Sequence, residues 1–443
     1  MDFLKQIALP QSANQITVLH FVMSFVYIIF LPFVSYLFGA IVLSLYHGRK
    51  GRTLGDANAV SFSKDIIGNL LPTKSIIFLL GVVPYFAILF AYAQLLQNTP
   101  SIAVSVLTWG AGFFSLAGAF AASYHSALRL TSVLNEVHQH SEIVDEFRSE
   151  TSEAKRTSGK YALLFLSVSL FLLFAGTTLA AAPEYWESIG SVVQLFFSLE
   201  VLVRALQFIL LSLTVASLGT LFFMFAWNGG AKDLTPAYAE YIKKHTLTVA
   251  LITILLQPIC IAAVVLLTPA GGLSGMFFAA SILAVILFFF AIHFVYGMIK
   301  EFTPSYAGNA FFLVFVAVVF LILQETSAFA TATRNNSAYL AYEFEKYHEE
   351  LLTRMGISLK VVTGEDIFNA KCSACHEFGK KKVGPAYKDV LPKYEKDRAK
   401  LVSFVLNPQK MNPAFPPMPN QGLKPVEADS IAAYIMMMYK KTN

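Results

Sequence analysis

Cys372, Cys375 and His376 stand in the run Lys371-Cys372-Ser373-Ala374-Cys375-His376, with the histidine directly after the second thiol. This C-x-x-C-H spacing suits the attachment of a c-type haem. The thiols add across the two haem vinyl groups, and the adjacent imidazole becomes an axial ligand of the iron. Downstream, in Pro417-Met418-Pro419, a methionine falls where a second axial ligand is expected. A zinc site would need two further Cys or His ligands nearby, and the third cysteine, Cys260, lies in an apolar run. A simple dithiol redox pair would use neither His376 nor the Met418 region. Three cysteines, two committed to haem, leave no pair for a disulfide.

The C-terminal part resembles the small bacterial class I cytochromes c. The resemblance is carried by Cys372-Ser373-Ala374-Cys375-His376, by Val383-Gly384-Pro385-Ala386-Tyr387-Lys388-Asp389-Val390 and by Pro417-Met418-Pro419. The terminal Glu427-Ala428-Asp429-Ser430-Ile431-Ala432-Ala433-Tyr434-Ile435 fits as well. It implies a few helices wrapped around one covalent haem, the last helix packed against the first. It also implies that His376 and Met418 ligate the iron, while the Pro385 carbonyl accepts the His376 ring N–H and fixes its tautomer. Met411 is the competing sixth ligand; family members place a proline directly after the ligand methionine, which favours Met418. A Met/His pair raises the reduction potential relative to a bis-His pair.

The elements that must position this group are of another kind. Hydrophobic residues make up 56% of the chain and charged residues 14%, far from the balance of a soluble domain. Eight apolar stretches are long enough to cross about 30 Å of hydrocarbon as helices: 17–46, 75–96, 102–126, 160–182, 200–227, 246–268, 273–298 and 306–326. The fold class is therefore all-α, a polytopic bundle over 1–326, a helical connector over 327–363 and a mono-haem cytochrome over 364–443. The connector reads as an amphipathic helix from Ser337 to Met355.

Lys and Arg set the orientation. Alternate loops carry Arg49, Lys50, Arg52, Lys64 and Lys74; Arg129, Arg148, Lys155, Arg156 and Lys160; Lys232, Lys243 and Lys244; and Lys300. The other side has Lys5 and almost nothing else. Both termini are thus expected outside. Eight spans then deliver the cytochrome to the outer face of a bacterial cytoplasmic membrane, where haem c is attached. The first 16 residues show no basic n-region or cleavage site, so no removable signal is expected. The cytochrome part has 13 Lys+Arg and 8 Asp+Glu, so 13 − 8 = +5, equal to the whole-chain charge. Lys380, Lys381 and Lys382 form a patch that can steer an acidic redox partner or serve solubility.

Within the bundle, a b-type haem would need two facing ligands. His20, His125 and His293 are candidates, and His47 and His245 lie at inner boundaries. Intramembrane ionisable residues are functional candidates in general. Glu200 and Arg204 are four apart and share a helix face. They read either as a structural ion pair or as part of an outer quinol pocket, with Tyr185, Trp186 and Glu187 nearby. Pro84 and Pro258 interrupt helix hydrogen bonds. In its layout the first part of the bundle also resembles the large subunit of cytochrome bd quinol oxidases, which implies His20 as a haem b ligand. The second and third spans lack the glutamates of that family's oxygen site.

The expected function is respiratory electron transfer, from the quinone/quinol pool through haem c to a periplasmic redox protein or a neighbouring subunit. The chain would then be a subunit of a quinol:cytochrome c-type oxidoreductase. The alternative is a cofactor-free anchor whose fused cytochrome only relays electrons. Partners are the lipid bilayer and redox proteins; no nucleic acid is expected.

Overall fold

The computed structural model describes residues 10–71, 73–136, 141–227, 234–355, 363–395 and 397–442. Lys5 and Lys232 lie outside these. Among the described residues the chain is helical, without strands. It forms two compact units: His20–Ala332, and Thr333 onward together with the first turns of the first helix.

Eight helices are long and apolar enough to cross a membrane. They are α1 (Ala13–Leu54), α3 (Ser75–Leu95), α4 (Ala103–Glu136), α5 (Glu142–Ala180), α7 (Leu199–Ala226), α8 (Pro236–Leu267), α9 (Gly275–Lys300) and α10 (Pro304–Ala332). Two shorter helices, α2 (Ala57–Leu70) and α6 (Val192–Phe196), lie between them. Side-chain oxygens fix several starts: Asp56 caps α2, Ser141 caps α5, Ser198 caps α7, Thr235 caps α8 and Ser274 caps α9. Each satisfies amides that the first helical turn leaves without partners.

Several helices run well past the apolar stretches. α5 begins at Glu142 and α8 at Pro236, and α1 continues to Leu54. Lys, Arg and Glu are good helix formers, so the helix continues after the hydropathy signal has ended. In α3 a π-helical turn at Phe78–Val82 immediately precedes Pro84. The widened turn accommodates a residue that has no amide hydrogen to donate.

α7 and α1 are the most enclosed spans, with 72% and 67% of their apolar windows buried, against 33% for α9. Small polar residues line the centre. Ser212, Thr214, Ser217 and Thr220 of α7 are fully buried, and Thr214 Oγ1 lies 2.8 Å from Thr253 Oγ1 on α8. Without a hydrophobic drive between helices in lipid, close packing of small residues and such hydrogen bonds hold the bundle. α4 and α5 share the most extensive helix pairing, followed by α9 with α10 and α7 with α8.

The second unit contains α11 (Arg334–Arg354), α12 (Gly364–Ile367) leading into a π turn at Phe368–Cys372, α13 (Tyr387–Val390), α14 (Arg398–Leu406) and α15 (Pro425–Thr442). α12 crosses α15, as the resemblance implies. At the crossing a Cβ on Gly364 would collide with the Ser430 carbonyl, so only glycine lets the two backbones approach. Ile367, Phe368, Leu401, Val405, Ile431 and Ile435 form the core around this crossing. Each such side chain contributes about 2 kcal/mol on burial. Arg398 ties α14 to Asp429 of α15 by an ion pair. The connector helix packs on α14 and α15.

A haem crevice at the C-terminus and a charged cluster in the bundle

The π turn ending at Cys372 swings the chain into the attachment motif. The amides of Cys375 and His376 both bond to the Cys372 carbonyl, at 3.1 and 2.9 Å. This tight turn gathers both thiols and the imidazole at one crevice, together with Met418. A second cavity of about 340 Å³ adjoins the same residues. Its wall carries His376, Pro385 and Met418, and Leu391, Val405 and Ile435 make it apolar.

His376 is held in one orientation. Its Nδ1 is 3.3 Å from the Pro385 carbonyl, which accepts the ring N–H and leaves Nε2 with a free lone pair. The Tyr387 ring stacks on the imidazole at 5.1 Å. Gly384 lies so close to the ring that a Cβ there would overlap it, and its amide bonds the Cys375 carbonyl at 2.9 Å. Burial lowers the His376 pKa below the usual imidazole range, with the Pro385 carbonyl opposing it. The neutral ring that burial favours is the form that binds a metal. Burial also pushes the Cys372 thiol up to about 11.

Met418 is half-buried and lines both cavities, whereas Met411 lines one and is 63% exposed. Neutral imidazole, a thioether, two thiols and an apolar slot suit a haem attached through its vinyl groups. Lys382 Nζ donates to the Ser373 carbonyl at 2.7 Å, and Lys381 Nζ lies 4.8 Å from the centre of the Phe415 ring. Two of the three patch lysines are thus fixed at the crevice edge.

The bundle holds a second charged constellation. Arg204 is buried, and its Nη2 donates to Glu200 at 2.8 Å and to Thr268 Oγ1 at 3.2 Å. Its Nη1 is ion-paired with Glu325 of α10. Two carboxylates therefore share one guanidinium. Glu325 was not legible as a partner because it lies near the end of a long apolar stretch, with nothing to say which helix it faces. Arg204 and Glu325 line a narrow cavity of about 80 Å³ with Tyr27, Tyr92, Gln207 and Phe329. Tyr185, Trp186 and Glu187 do not line it; Trp186 instead donates to the Leu179 carbonyl at 2.9 Å.

The histidines are distributed differently. His20 packs on Phe329 at 5.7 Å, and Phe329 also touches Tyr92 at 4.8 Å. His125 lies on α4, which packs chiefly on α5, while His293 is exposed on α9, which packs on α8 and α10. These two are not brought together. His47 and His245 do meet, with ring centres 5.1 Å apart. His47 Nδ1 is 2.6 Å from the Tyr241 hydroxyl, and His245 has Lys50 Nζ at 3.1 Å from Nε2 and the Tyr241 carbonyl at 2.8 Å from Nδ1. Both nitrogens of His245 are thus engaged, which marks a packed structural cluster.

Comparison with known proteins bears on the C-terminal crevice. The family model described as cytochrome c matches residues 361–438. The chain is also similar to cytochrome c-551 of Pseudomonas denitrificans, 39% identical over 80 residues, which is 17% of this chain and 98% of that protein. A covalent haem c and electron transfer follow for this domain, carried on a multi-pass membrane bundle. With its attachment motif, its oriented histidine and its matching relative, the chain belongs, through its C-terminal domain, to the cytochrome c family.

Proposed function

We propose that the protein oxidises membrane quinol in its helical bundle and passes the electrons through haem c to an acceptor on the outer, periplasmic face of a bacterial inner membrane. The observation that carries this reading is the Arg204 cluster. Glu200, Arg204 and Glu325 together hold one more negative than positive charge inside the bundle. Glu325 is 44% exposed, against 13% for Glu200, so Glu325 is the carboxylate open to a substrate.

A quinol gives up two electrons and two protons. Glu325, part exposed, takes one proton from a quinol hydroxyl, passes it to water and then takes the second, with Arg204 stabilising the carboxylate beforehand and Tyr27 and Tyr92 shaping the slot. Haem c would supply reversible one-electron chemistry there. His376 and Met418 hold the iron and Pro385 holds His376 in place. The fixed Lys381 and Lys382 give the crevice edge a positive field that attracts an acidic partner. The distribution of Lys and Arg supports the orientation with the crevice outside.

A second reading, a cofactor-free anchor, is favoured by the placement of His125 on α4, which pairs chiefly with α5, and of His293, exposed on α9. The proposal accordingly routes no electron through haem b.

The test is anaerobic mixing of a short-chain quinol with the purified detergent-solubilised protein, following haem c absorbance. Saturable reduction is expected, slowed on the order of a hundredfold in Glu325→Gln, the loss typical of a removed general base. Haem that accepts electrons from dithionite but not from quinol would leave the anchor reading in its place.

A further inference from the structure

A cavity of about 600 Å³ opens where α1, α2, α4 and α5 meet, and it shares no lining residue with the haem crevice or the Arg204 cluster. Six cationic side chains line it: Arg49 and Arg52 from the end of α1, Lys64 from α2, and Lys155, Arg156 and Lys160 from the extension of α5. Among the described residues no carboxylate lines it. Among the described residues none of the six is in an ion pair with a carboxylate.

Two acids on or beside α2 are already committed. Asp56 caps α2 through the amides of Asn58 and Ala59, and Asp65 accepts from the Tyr238 hydroxyl at 2.8 Å. The floor is a fixed hydrogen-bonded set: Ser44 Oγ lies 2.8 Å from the Tyr124 hydroxyl, and Ser63 Oγ donates to the Ser44 carbonyl at 2.7 Å. Tyr46 and Val60, both exposed, give the rim an apolar side.

Six like charges around one concavity repel each other, and an uncompensated arrangement of this kind is stabilised by a bound polyanion. Arg forks and Lys ammonium groups both bind phosphate oxygens, Arg in pairs and Lys as point charges. The room available exceeds that needed for a single phosphate. We propose that this cavity binds a ligand with two closely spaced phosphate groups. That chemistry is supplied either by the headgroup of a diphosphatidyl lipid, its acyl chains leaving past Tyr46 and Val60, or by a free polyphosphate. The long charged continuation of α5, which serves no purpose in crossing the bilayer, is the element that supplies half of the cations.

The experiment uses the purified full-length protein in detergent, stripped of lipid, with thermal unfolding as the readout. Three additions are compared: cardiolipin in mixed micelles, phosphatidylcholine in the same micelles, and inorganic pyrophosphate. A saturable rise in midpoint with cardiolipin alone identifies the lipid, and a rise with pyrophosphate as well identifies the shared phosphate chemistry. In Arg52→Gln/Arg156→Gln the apparent affinity should fall about fivefold per cation removed. A cooperative unfolding transition of the variant without added ligand shows that its bundle folds. No shift with cardiolipin or pyrophosphate, or equal shifts with cardiolipin and phosphatidylcholine, overturns the proposal. An affinity unchanged in the double variant overturns it too.

Discussion

Individual residues decide how haem is held. Met418 shares both cavities with His376, while Met411 is largely exposed. Met418→His should therefore lower the reduction potential of haem c, by on the order of 100 mV, whereas Met411→Leu should leave it unchanged; a spectroelectrochemical titration reads both. Gly384 presses on the His376 ring with no room for a Cβ. Gly384→Ala should destabilise the cytochrome unit by about 1–3 kcal/mol through overpacking, visible in denaturant unfolding followed by haem absorbance. The attachment motif and its histidine were readable because covalent chemistry fixes residue types at fixed spacing. Glu325, by contrast, was not, since pairing across helices separated by more than a hundred positions in sequence leaves no local trace.

At the scale of elements, the eight spans were legible because a bilayer demands long apolar runs. Their ends were not: α5 extends beyond the apolar stretch on helix-forming charged residues, and hydropathy is blind to that. Which helices face each other was also hidden, so the Arg204 bridge between α7 and α10 emerges only from packing. That bridge is a structural as well as a chemical element. Arg204→Gln would leave two carboxylates without their common cation, and breaking such a buried pair costs about 3–5 kcal/mol. The expected result is a lower unfolding midpoint in detergent, partly restored in Arg204→Lys. Equal midpoints for wild type and Arg204→Gln would show that the cluster does not hold α7 to α10.

For the whole molecule, charge asymmetry sets an orientation that can be tested without reference to haem. Ser188, in the loop before α6, and Ser152, on the charged extension of α5, are both exposed. A cysteine at Ser188→Cys should react with a membrane-impermeant maleimide on intact cells, and one at Ser152→Cys only after permeabilisation. The reverse pattern would invert the bundle and separate the cytochrome from a periplasmic acceptor. A relative matched over 80 residues, 98% of its own length, accords with a cytochrome c joined to a membrane bundle, each part folding by its own rule. The cytochrome packs apolar side chains away from water around a crevice; the bundle packs small and polar residues against one another in lipid.

The account rests above all on haem bound covalently at Cys372 and Cys375. Its most direct test is a pyridine haemochrome spectrum of the purified protein, with haem quantified per chain before and after extraction with acidified organic solvent. One haem c per chain that stays with the polypeptide through extraction is the predicted result. Haem that leaves with the solvent, or a chain without haem c, would contradict the account at its centre.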